Sequence, residues 1–232
     1  MRMNCHVFID FDGTLAPGDP TDTLLAKFAD PSWLDLEAEF KAGRMTSREC
    51  MARQFGLLRA SPEAYEATVR SMSIDPAFPE FAKLCRRHDI AMTIVSDGPD
   101  RSIELLLAKA GIKVPYFANK LDYLGDDRWS LGFPHARGDC AMVAGNCKCQ
   151  FAERDRATTK IMIGDGRSDF CISTRVDLVL AKGVLAAHCR ARDLPHHAIN
   201  DFRDVHRLIA SWLEVGVSLS DGRTVEIGSF AA

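Results

Sequence analysis

Two aspartates, Asp10 and Asp12, follow a short apolar run near the start of the chain and are separated by one residue. One carboxylate in such a pair can attack an electrophile while the other gives and takes a proton. Gly13 comes next, and a glycine lets the backbone approach a ligand closely. This segment is therefore the first candidate for catalysis.

Further residues suited to chemistry follow other predicted strands. They are Ser96, Asp97, Gly98, Asp165 and Asp169. Ligands of parallel α/β sheets bind beyond the carboxyl ends of the strands, so we expect these side chains to meet Asp10 and Asp12 at one edge. Taken singly, Ser96 could cap a helix and Asp165 and Asp169 could be turn residues. The prediction depends on their grouping.

Lys148 is the candidate cation of this group. Lys160 is the alternative, but it opens a predicted strand at the end opposite the chemistry. Carboxylates and carbonyl oxygens suit Mg²⁺, which also takes waters and substrate phosphate oxygens. A serine hydroxyl and a lysine ammonium can hold the oxygens on which charge spreads during phosphoryl transfer. The group therefore predicts chemistry on a phosphate.

The composition excludes several other classes of protein. The chain has 232 residues, 47% of them hydrophobic and 26% charged, and a net charge of −3. This balance argues against a nucleic-acid-binding surface. No apolar run approaches the roughly 18 residues of a membrane span, and the first residues do not resemble a signal peptide. We expect a cytoplasmic protein whose eight cysteines are reduced thiols.

Short apolar strands alternate with helical patterns over most of the chain. The strands are predicted at 7–10, 91–96, 160–164 and 177–181, and the helices at 77–88, 100–110, 184–192 and 201–213. Such alternation predicts an α/β fold, a Rossmann-like parallel sheet with helices on both faces. Residues 116–132 are predicted to form a short β excursion, and 217–227 a hairpin that turns at Asp221-Gly222.

Residues 17–73 differ, because they hold several helix-start signals and no convincing strand. Asp30-Pro31 and Ser61-Pro62 are typical helix starts, and Thr46 to Glu49 has capping-box spacing. We predict a small helical cap at 17–73, inserted into a catalytic core of 1–16 and 74–232. The alternative is that these helices continue the main core.

The stretch Asp10-Phe11-Asp12-Gly13-Thr14, then Ser96, Lys148 and the Gly164–Asp169 segment resemble the four ordered motifs of the haloacid dehalogenase superfamily. The insertion resembles the helical cap of the branch that includes phosphoserine phosphatase. The resemblance implies a Mg²⁺-dependent phosphomonoesterase that hydrolyses a small-molecule phosphate ester through an aspartyl-phosphate.

The resemblance also implies a role for each position. Asp10 would be the nucleophile, and Asp12 would protonate the leaving oxygen and then activate water. Asp10, Asp165 and the backbone carbonyl of Asp12 would bind Mg²⁺, with Asp169 in support. The implied phosphate-binding residues are Gly13, Thr14, Ser96, Asp97, Gly98 and Lys148.

A closer resemblance is to the methionine-salvage phosphatases that act on 2-hydroxy-3-keto-5-methylthiopentenyl-1-phosphate. It is carried by the segments 30–33, 53–58, 133–135 and 193–202. The chain departs from that pattern at Asp97, where a glycine is usual, and at Cys149, where a proline is usual. Both positions lie near the predicted mouth of the site, so they concern the substrate rather than the reaction.

Other functions stay open at this stage. A phosphoserine phosphatase would need an acid near the first motif, for which Asp19 is available, and an arginine at the cap position that Gln54 occupies. Arg53 is one residue away, about 100° around a helix, and Phe55 completes the candidate specificity residues. A broad-specificity phosphatase, a phosphomutase-type phosphotransferase and a non-catalytic phosphate-binding module are the remaining alternatives.

Four potential metal ligands fall within fifteen residues of one another: His135, Cys140, Cys147 and Cys149. A zinc site is one interpretation of this cluster. The Cys-x-Cys spacing differs from the usual zinc knuckle and no second pair is evident nearby, which favours loop thiols that cover the site.

Overall fold

The computed structural model describes residues 4–140 and 142–215 and shows a seven-stranded sheet. The strands are β1 (Cys5–Ile9), β2 (Ala91–Pro99), β3 (Tyr116–Gly125), β4 (Arg128–Gly132), β5 (Thr159–Gly164), β6 (Leu178–Ala181) and β7 (His196–Ala198). Their order is β4-β3-β2-β1-β5-β6-β7. All neighbours are parallel except β3 and β4.

The predicted α/β fold is confirmed, with helices on both faces of the sheet. Strand β1 lies at the centre of the sheet. Strands β2, β3 and β4 are added in turn on one side of β1, and β5, β6 and β7 are added in turn on the other side. Val7 and Ile9 pack into one hydrophobic cluster, and Phe8 between them packs into another. Alternate strand residues point to opposite faces, so β1 is buried on both sides.

Ten helices lie within the described residues. They are α1 (Pro20–Phe28), α2 (Trp33–Lys41), α3 (Ser47–Gly56), α4 (Pro62–Ser71), α5 (Phe78–Arg87), α6 (Asp100–Ala110), α7 (Cys149–Arg154), α8 (Phe170–Ser173), α9 (Gly183–Ala191) and α10 (Phe202–Val215). Helices α5, α6 and α10 contribute to the larger hydrophobic cluster, and α7, α8 and α9 to the cluster on the opposite face. None of these helices is both long and apolar enough to cross a membrane.

Residues 17–73, between β1 and β2, contain helices α1 to α4 and none of the named strands, and their role as a cap stays a prediction. Two of the helix starts follow the sequence signals closely: Thr46 Oγ1 accepts from the Glu49 N–H at 3.2 Å, and Ser61 Oγ accepts from the Ala64 N–H at 3.2 Å. Local capping chemistry therefore decides where these helices begin.

The β excursion predicted at 116–132 is the antiparallel pair β3 and β4. Trp129 on β4 is buried, and its indole N–H donates to the carbonyl of Ala60 at 2.8 Å. This bond fastens the segment between α3 and α4 to the sheet. The hairpin predicted at 217–227 lies outside the described residues.

The prediction that all cysteines are reduced is wrong for Cys149 and Cys171. They form a disulfide between α7 and α8, with Cα atoms 6.0 Å apart. The other cysteines are free and buried: Cys5, Cys50, Cys85, Cys140, Cys147 and Cys189. Composition bears on the redox compartment, whereas pairing depends on which thiols folding brings within bonding distance.

Asp75 is predicted to be a large local contributor to stability. Its buried carboxylate accepts from the Ala77 N–H at 2.8 Å and from the Phe202 N–H of α10 at 3.1 Å. Asp75→Ala leaves both donors without this partner and should lower the free energy of unfolding by about 1–3 kcal/mol. Urea unfolding measures the loss. Asp122→Ala removes an exposed carboxylate and is the control; equal losses in both variants would contradict the assignment.

Candidate active site

The acids predicted from the sequence meet at the carboxyl edge of the sheet, next to the centre. Asp10 follows β1, and its N–H donates to the Ile163 carbonyl of β5 at 2.9 Å. Ser96 lies on β2, and Asp165 follows β5. The chain continues from β1 to β2 on one side of the sheet and from β5 to β6 on the other, so the strand order reverses between β1 and β5. Open α/β sheets form ligand crevices at such a point.

Lys148 lies between two carboxylates. Its Nζ is 2.6 Å from Oδ1 of Asp10 and 2.6 Å from Oδ1 of Asp169, and it also donates to Ser168 Oγ at 3.0 Å. The Lys148 side chain is only 1% exposed. Lys148 thus contacts both carboxylates, whereas Lys160 lies on β5 opposite His6 of β1; the catalytic role of Lys148 stays a prediction.

Charge in this buried group is unbalanced. Burial alone would lower the pKa of Lys148, but the carboxylates of Asp10 and Asp169 outweigh it and raise that pKa. Burial, followed by the charge of Asp169, raises the pKa of Asp10 well above its usual value, although Lys148 opposes the shift. The two carboxylates therefore keep Lys148 protonated, whereas burial and the charge of Asp169 favour the neutral form of Asp10. A further cation at this site would favour its ionised form.

Asp12 has a different environment from Asp10. Its Oδ1 accepts from the backbone N–H and the hydroxyl of Thr21, each at 3.3 Å, and its Oδ2 accepts from Ser96 Oγ at 3.3 Å. Burial, followed by the charge of Asp19, raises the pKa of Asp12 to about 7. Asp12 can therefore exchange a proton near neutral pH.

Gly13 and Gly98 lie so close to two of the acidic side chains that neither position has room for a Cβ atom. A Cβ at Gly13, where φ is 73°, would lie 2.6 Å from Oδ2 of Asp165, and a Cβ at Gly98 would lie 2.1 Å from Oδ2 of Asp12. The N–H of Gly13 donates to Ala16, and that of Gly98 donates to Ser96 Oγ at 3.0 Å. Direct phosphate binding by Gly13 and Gly98 stays a prediction.

Thr14 and Asp97 also have partners within the protein. The Thr14 hydroxyl donates a short hydrogen bond to Asp165, and its N–H donates to the Phe11 carbonyl. The Asp97 carboxylate accepts from Ser47 Oγ of α3 at 2.6 Å and from the Asn146 N–H at 2.8 Å. Asp97 thus connects the helical insertion to the site, and phosphate contact by either residue stays a prediction.

The acidic residues fit a divalent metal ion. One oxygen from each of Asp10, Asp165 and Asp169 lies within 4.8 Å of the others. Opposite oxygen ligands of Mg²⁺ lie about 4.2 Å apart, because each is about 2.1 Å from the ion. Asp169 already accepts from Lys148 and, through Oδ2, from the N–H groups of Asp165 and Gly166 at 3.1 Å each. It is therefore better placed to orient the loop than to ligate.

The candidate specificity residues do not all reach this site. Asp19 lies beside Asp12 and has its own pKa raised to about 6, chiefly by burial. Arg53 is exposed and pairs with Glu49 of its own helix. Gln54 Nε2 donates to the Trp33 carbonyl at 3.4 Å and to Glu37 at 3.2 Å, both within the insertion. Phe55 is buried in the hydrophobic core.

Ser168, Thr21 and Lys182 were missed by the reasoning from sequence. Ser168 binds Lys148, Thr21 binds Asp12, and Lys182 Nζ donates to the Thr14 carbonyl at 3.4 Å. Lys182 comes directly after β6, so its position beyond a strand end was an available signal. Ser168 lies in the same segment after β5 as Asp165 and Asp169, so its position was a signal too, whereas Thr21, in α1, has none.

The model of the haloacid dehalogenase-like hydrolase family matches residues 7–173. A 2-hydroxy-3-keto-5-methylthiopentenyl-1-phosphate phosphatase of Brevibacillus brevis is 32% identical over 215 residues, which cover 90% of this chain and 96% of that protein. A phosphatase with the same name from an Exiguobacterium species is 30% identical over 208 residues, covering 88% and 96%.

Solved structures similar to this fold include two of phosphoserine phosphatase. One is a phospho-aspartyl intermediate analogue. Its match has a TM-score of 0.68 and covers 89% of this chain and 99% of the solved chain. The other, a substrate-bound complex, has a TM-score of 0.67 and covers 88% and 97%. Both are 18% identical to this chain, so the likeness concerns the fold.

The raised pKa of Asp12 predicts that this carboxylate destabilises the metal-free protein at neutral pH. The folded state binds the Asp12 proton more tightly than the unfolded chain does, because the folded pKa is about 7. The stabilisation that protonated Asp12 gives to the folded protein is therefore complete below the pKa of Asp12 in the unfolded chain. It is lost as the pH rises through about 7. Asp12→Asn should raise the free energy of unfolding at about pH 8 by roughly 2–4 kcal/mol.

This gain should shrink toward zero near about pH 4, where Asp12 is neutral in the folded protein. Urea unfolding in the presence of EDTA at several pH values measures it. Asp122→Asn alters an exposed carboxylate and should not show the same pH-dependent gain. A constant difference between Asp12→Asn and the wild type across this range would show that the pKa is not raised.

Proposed function

The chain belongs to the haloacid dehalogenase-like hydrolase family, and we propose that it is a Mg²⁺-dependent phosphomonoesterase that works through a covalent aspartyl-phosphate. Its class as a phosphoric monoester hydrolase, predicted from the sequence, is confirmed by this family and by relatives named as phosphatases. The observation that carries the mechanism is the position of Lys148 between Asp10 and Asp169.

Asp10 is assigned as the nucleophile. Its Oδ1 accepts from Lys148 Nζ at 2.6 Å and from the Phe11 N–H at 2.8 Å, which leaves Oδ2 as the attacking oxygen. Attack forms a bond between Oδ2 and phosphorus while the bond from phosphorus to the ester oxygen breaks. Lys148 keeps Oδ1 in place and favours the ionised carboxylate that attack requires.

Asp12 is assigned as the general acid and base. With a pKa of about 7, it can hold a proton and give it to the departing ester oxygen. The resulting carboxylate then takes a proton from water as the water oxygen attacks phosphorus. The bond between phosphorus and Oδ2 of Asp10 then breaks, which releases inorganic phosphate and regenerates the Asp10 carboxylate. Thr21, through its N–H and its hydroxyl, orients Asp12 for both steps.

Ser96 and Lys148 are assigned to hold the phosphoryl oxygens, since the Ser96 hydroxyl can turn from Asp12 toward a bound phosphate. Asp10, Asp165 and the Asp12 carbonyl would hold Mg²⁺, and Asp169 would support them. A bound Mg²⁺ supplies positive charge opposite the phosphoryl oxygens and the carboxylates. This cation would relieve the excess of buried negative charge around Lys148.

Residues 17–73 are proposed as a cap over a core of 1–16 and 74–232. Ser47 of α3 reaches Asp97, and Arg167, next to the acidic loop after β5, donates to the Lys41 carbonyl of α2 at 3.2 Å. These two contacts join residues 17–73 to the end of β2 and to the loop after β5. Substrate selection by this insertion would follow from its place over the site.

The proposed substrate is 2-hydroxy-3-keto-5-methylthiopentenyl-1-phosphate. Relatives with that name match nearly the full length of this chain at about 30% identity. Phosphoserine is the second candidate, supported by the similar folds and by the acid at Asp19. It is disfavoured because Arg53 pairs with Glu49 on the surface and Gln54 is engaged inside the insertion, so neither presents a guanidinium to a substrate carboxylate.

Asp10→Asn should abolish turnover, because an amide is a poor nucleophile toward phosphorus. We expect kcat/KM on an aryl phosphate to fall by about 10⁴-fold or more, and wild-type activity to disappear with EDTA and return with Mg²⁺. Asp122→Asn is the matched control and should keep wild-type activity. Full activity of Asp10→Asn would exclude the covalent mechanism.

A panel of phosphate esters tests the substrate separately. We expect kcat/KM for the methionine-salvage enol phosphate to exceed that for O-phosphoserine by at least about 100-fold, because Arg53 and Gln54 do not offer a carboxylate partner. Arg53→Ala should leave both values unchanged within about twofold, since its side chain pairs only on the surface. A preference for phosphoserine, or its loss in Arg53→Ala, would contradict this assignment.

A further inference from the structure

Four cysteines converge directly behind Lys148. Cys147 and Cys149 flank the lysine in the chain, Cys140 comes from the preceding loop, and Cys171 is the second residue of α8. The thiol of Cys147 lies 3.9 Å from the sulfur of Cys149 and is hydrogen-bonded to Cys140. Cys149 is bonded to Cys171. The four sulfurs thus form one continuous group, which we call the sulfur cluster.

The separation between the unbonded sulfurs of Cys147 and Cys149 suits two neighbouring ligands of a tetrahedral metal ion. Zinc–sulfur bonds are about 2.3 Å long, which places neighbouring sulfurs of a tetrahedral site about 3.8 Å apart. The separation of Cys147 and Cys149 is 3.9 Å. Cys140, Cys147 and Cys149 belong to one buried cluster, and the partly buried Cys171 packs against it.

The ligand set differs from the one suggested by the sequence. The His135 ring packs edge-on against Phe117 and Phe151, at centroid distances of 5.3 and 5.7 Å. Its carbonyl instead accepts from the Cys147 N–H at 3.2 Å. Cys171, which is 22 residues from Cys149, takes the fourth position. This supplies the second pair that the Cys-x-Cys segment lacks by itself.

The surroundings of Cys147 favour the protonated thiol while no metal ion is bound. Burial and the hydrogen bond with Cys140 raise the pKa of Cys147, while the Gln150 N–H and the Arg137 guanidinium act in the opposite direction. N–H groups aimed at sulfur are the kind of outer contact that supports metal ligands. Arg48 also enters this region, donating to the carbonyls of Ala144 and Arg137.

We propose that Cys140, Cys147, Cys149 and Cys171 form a structural zinc site when the disulfide is reduced. Two molecules of a cellular or added thiol, or one dithiol, supply two electrons and two protons to the Cys149–Cys171 bond and are oxidised to a disulfide. Zn²⁺ then binds the four sulfurs as their protons pass to solvent. The site is distinct from the carboxylates of Asp10 and Asp165, and it does not depend on the proposed reaction.

Such a site would brace the catalytic group from behind. Cys147 and Cys149 adjoin Lys148, and Cys171 is two residues from Asp169. One ion bound to these three sulfurs would fix the backbone on both sides of the Lys148–Asp169 ion pair. The loop that carries Cys140 would be held by the same ion.

Cobalt(II) titration of the full-length protein, reduced with a thiol and kept free of oxygen, tests the proposal. Co²⁺ bound to four thiolates gives a charge-transfer band in the near ultraviolet and tetrahedral bands in the visible, unlike Co²⁺ on carboxylates. We expect these bands to saturate at about one equivalent and to be displaced by Zn²⁺. The bands should persist in Asp165→Asn, in which a carboxylate of the catalytic group is removed.

Cys140→Ser is the decisive variant, because Cys140 takes no part in the disulfide. It should weaken zinc affinity by at least about 100-fold, whereas Cys189→Ser, a substitution of a buried free thiol outside the sulfur cluster, should bind as the wild type does. Thiolate bands of wild-type strength in Cys140→Ser would overturn the proposal. Their absence from the reduced wild type, or a disulfide that resists reduction, would overturn it without any variant.

Discussion

The placement of one buried ammonium between two carboxylates is the interaction on which the site depends. Lys148 joins Asp10, which is 138 residues away along the chain, to Asp169, which is 21 residues away. The Lys148 ammonium therefore holds together three segments: the loop after β1, the loop after β5 and the start of α7. Removal of one partner from a buried ion pair leaves an uncompensated charge, a far larger cost than the loss of a surface pair.

The same arrangement explains why Asp10 and Asp12 can have different duties. Lys148 holds Asp10 directly, whereas Asp12 is held by neutral hydroxyl and amide donors and lies near the charge of Asp19. Burial raises the pKa of both carboxyls, and the direct contact with an ammonium distinguishes Asp10 from Asp12. A core that buries this many acids accepts lower stability at neutral pH, which is common at functional sites.

Much of the fold could be predicted because it depends on local patterns. Helix α6 begins and ends where predicted, and its end at Gly111, with φ of 66°, follows from the αL conformation that glycine adopts readily. Strands β1, β2, β5 and β6 were found within a few residues of their bounds. The directions of Arg53 and Gln54 could not be predicted, because a rotation of about 100° between adjacent helical residues decides what each contacts.

The sequence alone determined the α/β fold, the identity of the central strands and the acids that follow them. Those features depend on alternating hydrophobicity and on the rule that parallel strands place their carboxyl ends at one edge. Only the tertiary structure decided that Lys148 lies between Asp10 and Asp169, that Asp97 binds Ser47, and that Cys171 joins the other cysteines. These contacts link segments distant in the chain, and their distances arise from packing of the whole sheet rather than from any local pattern.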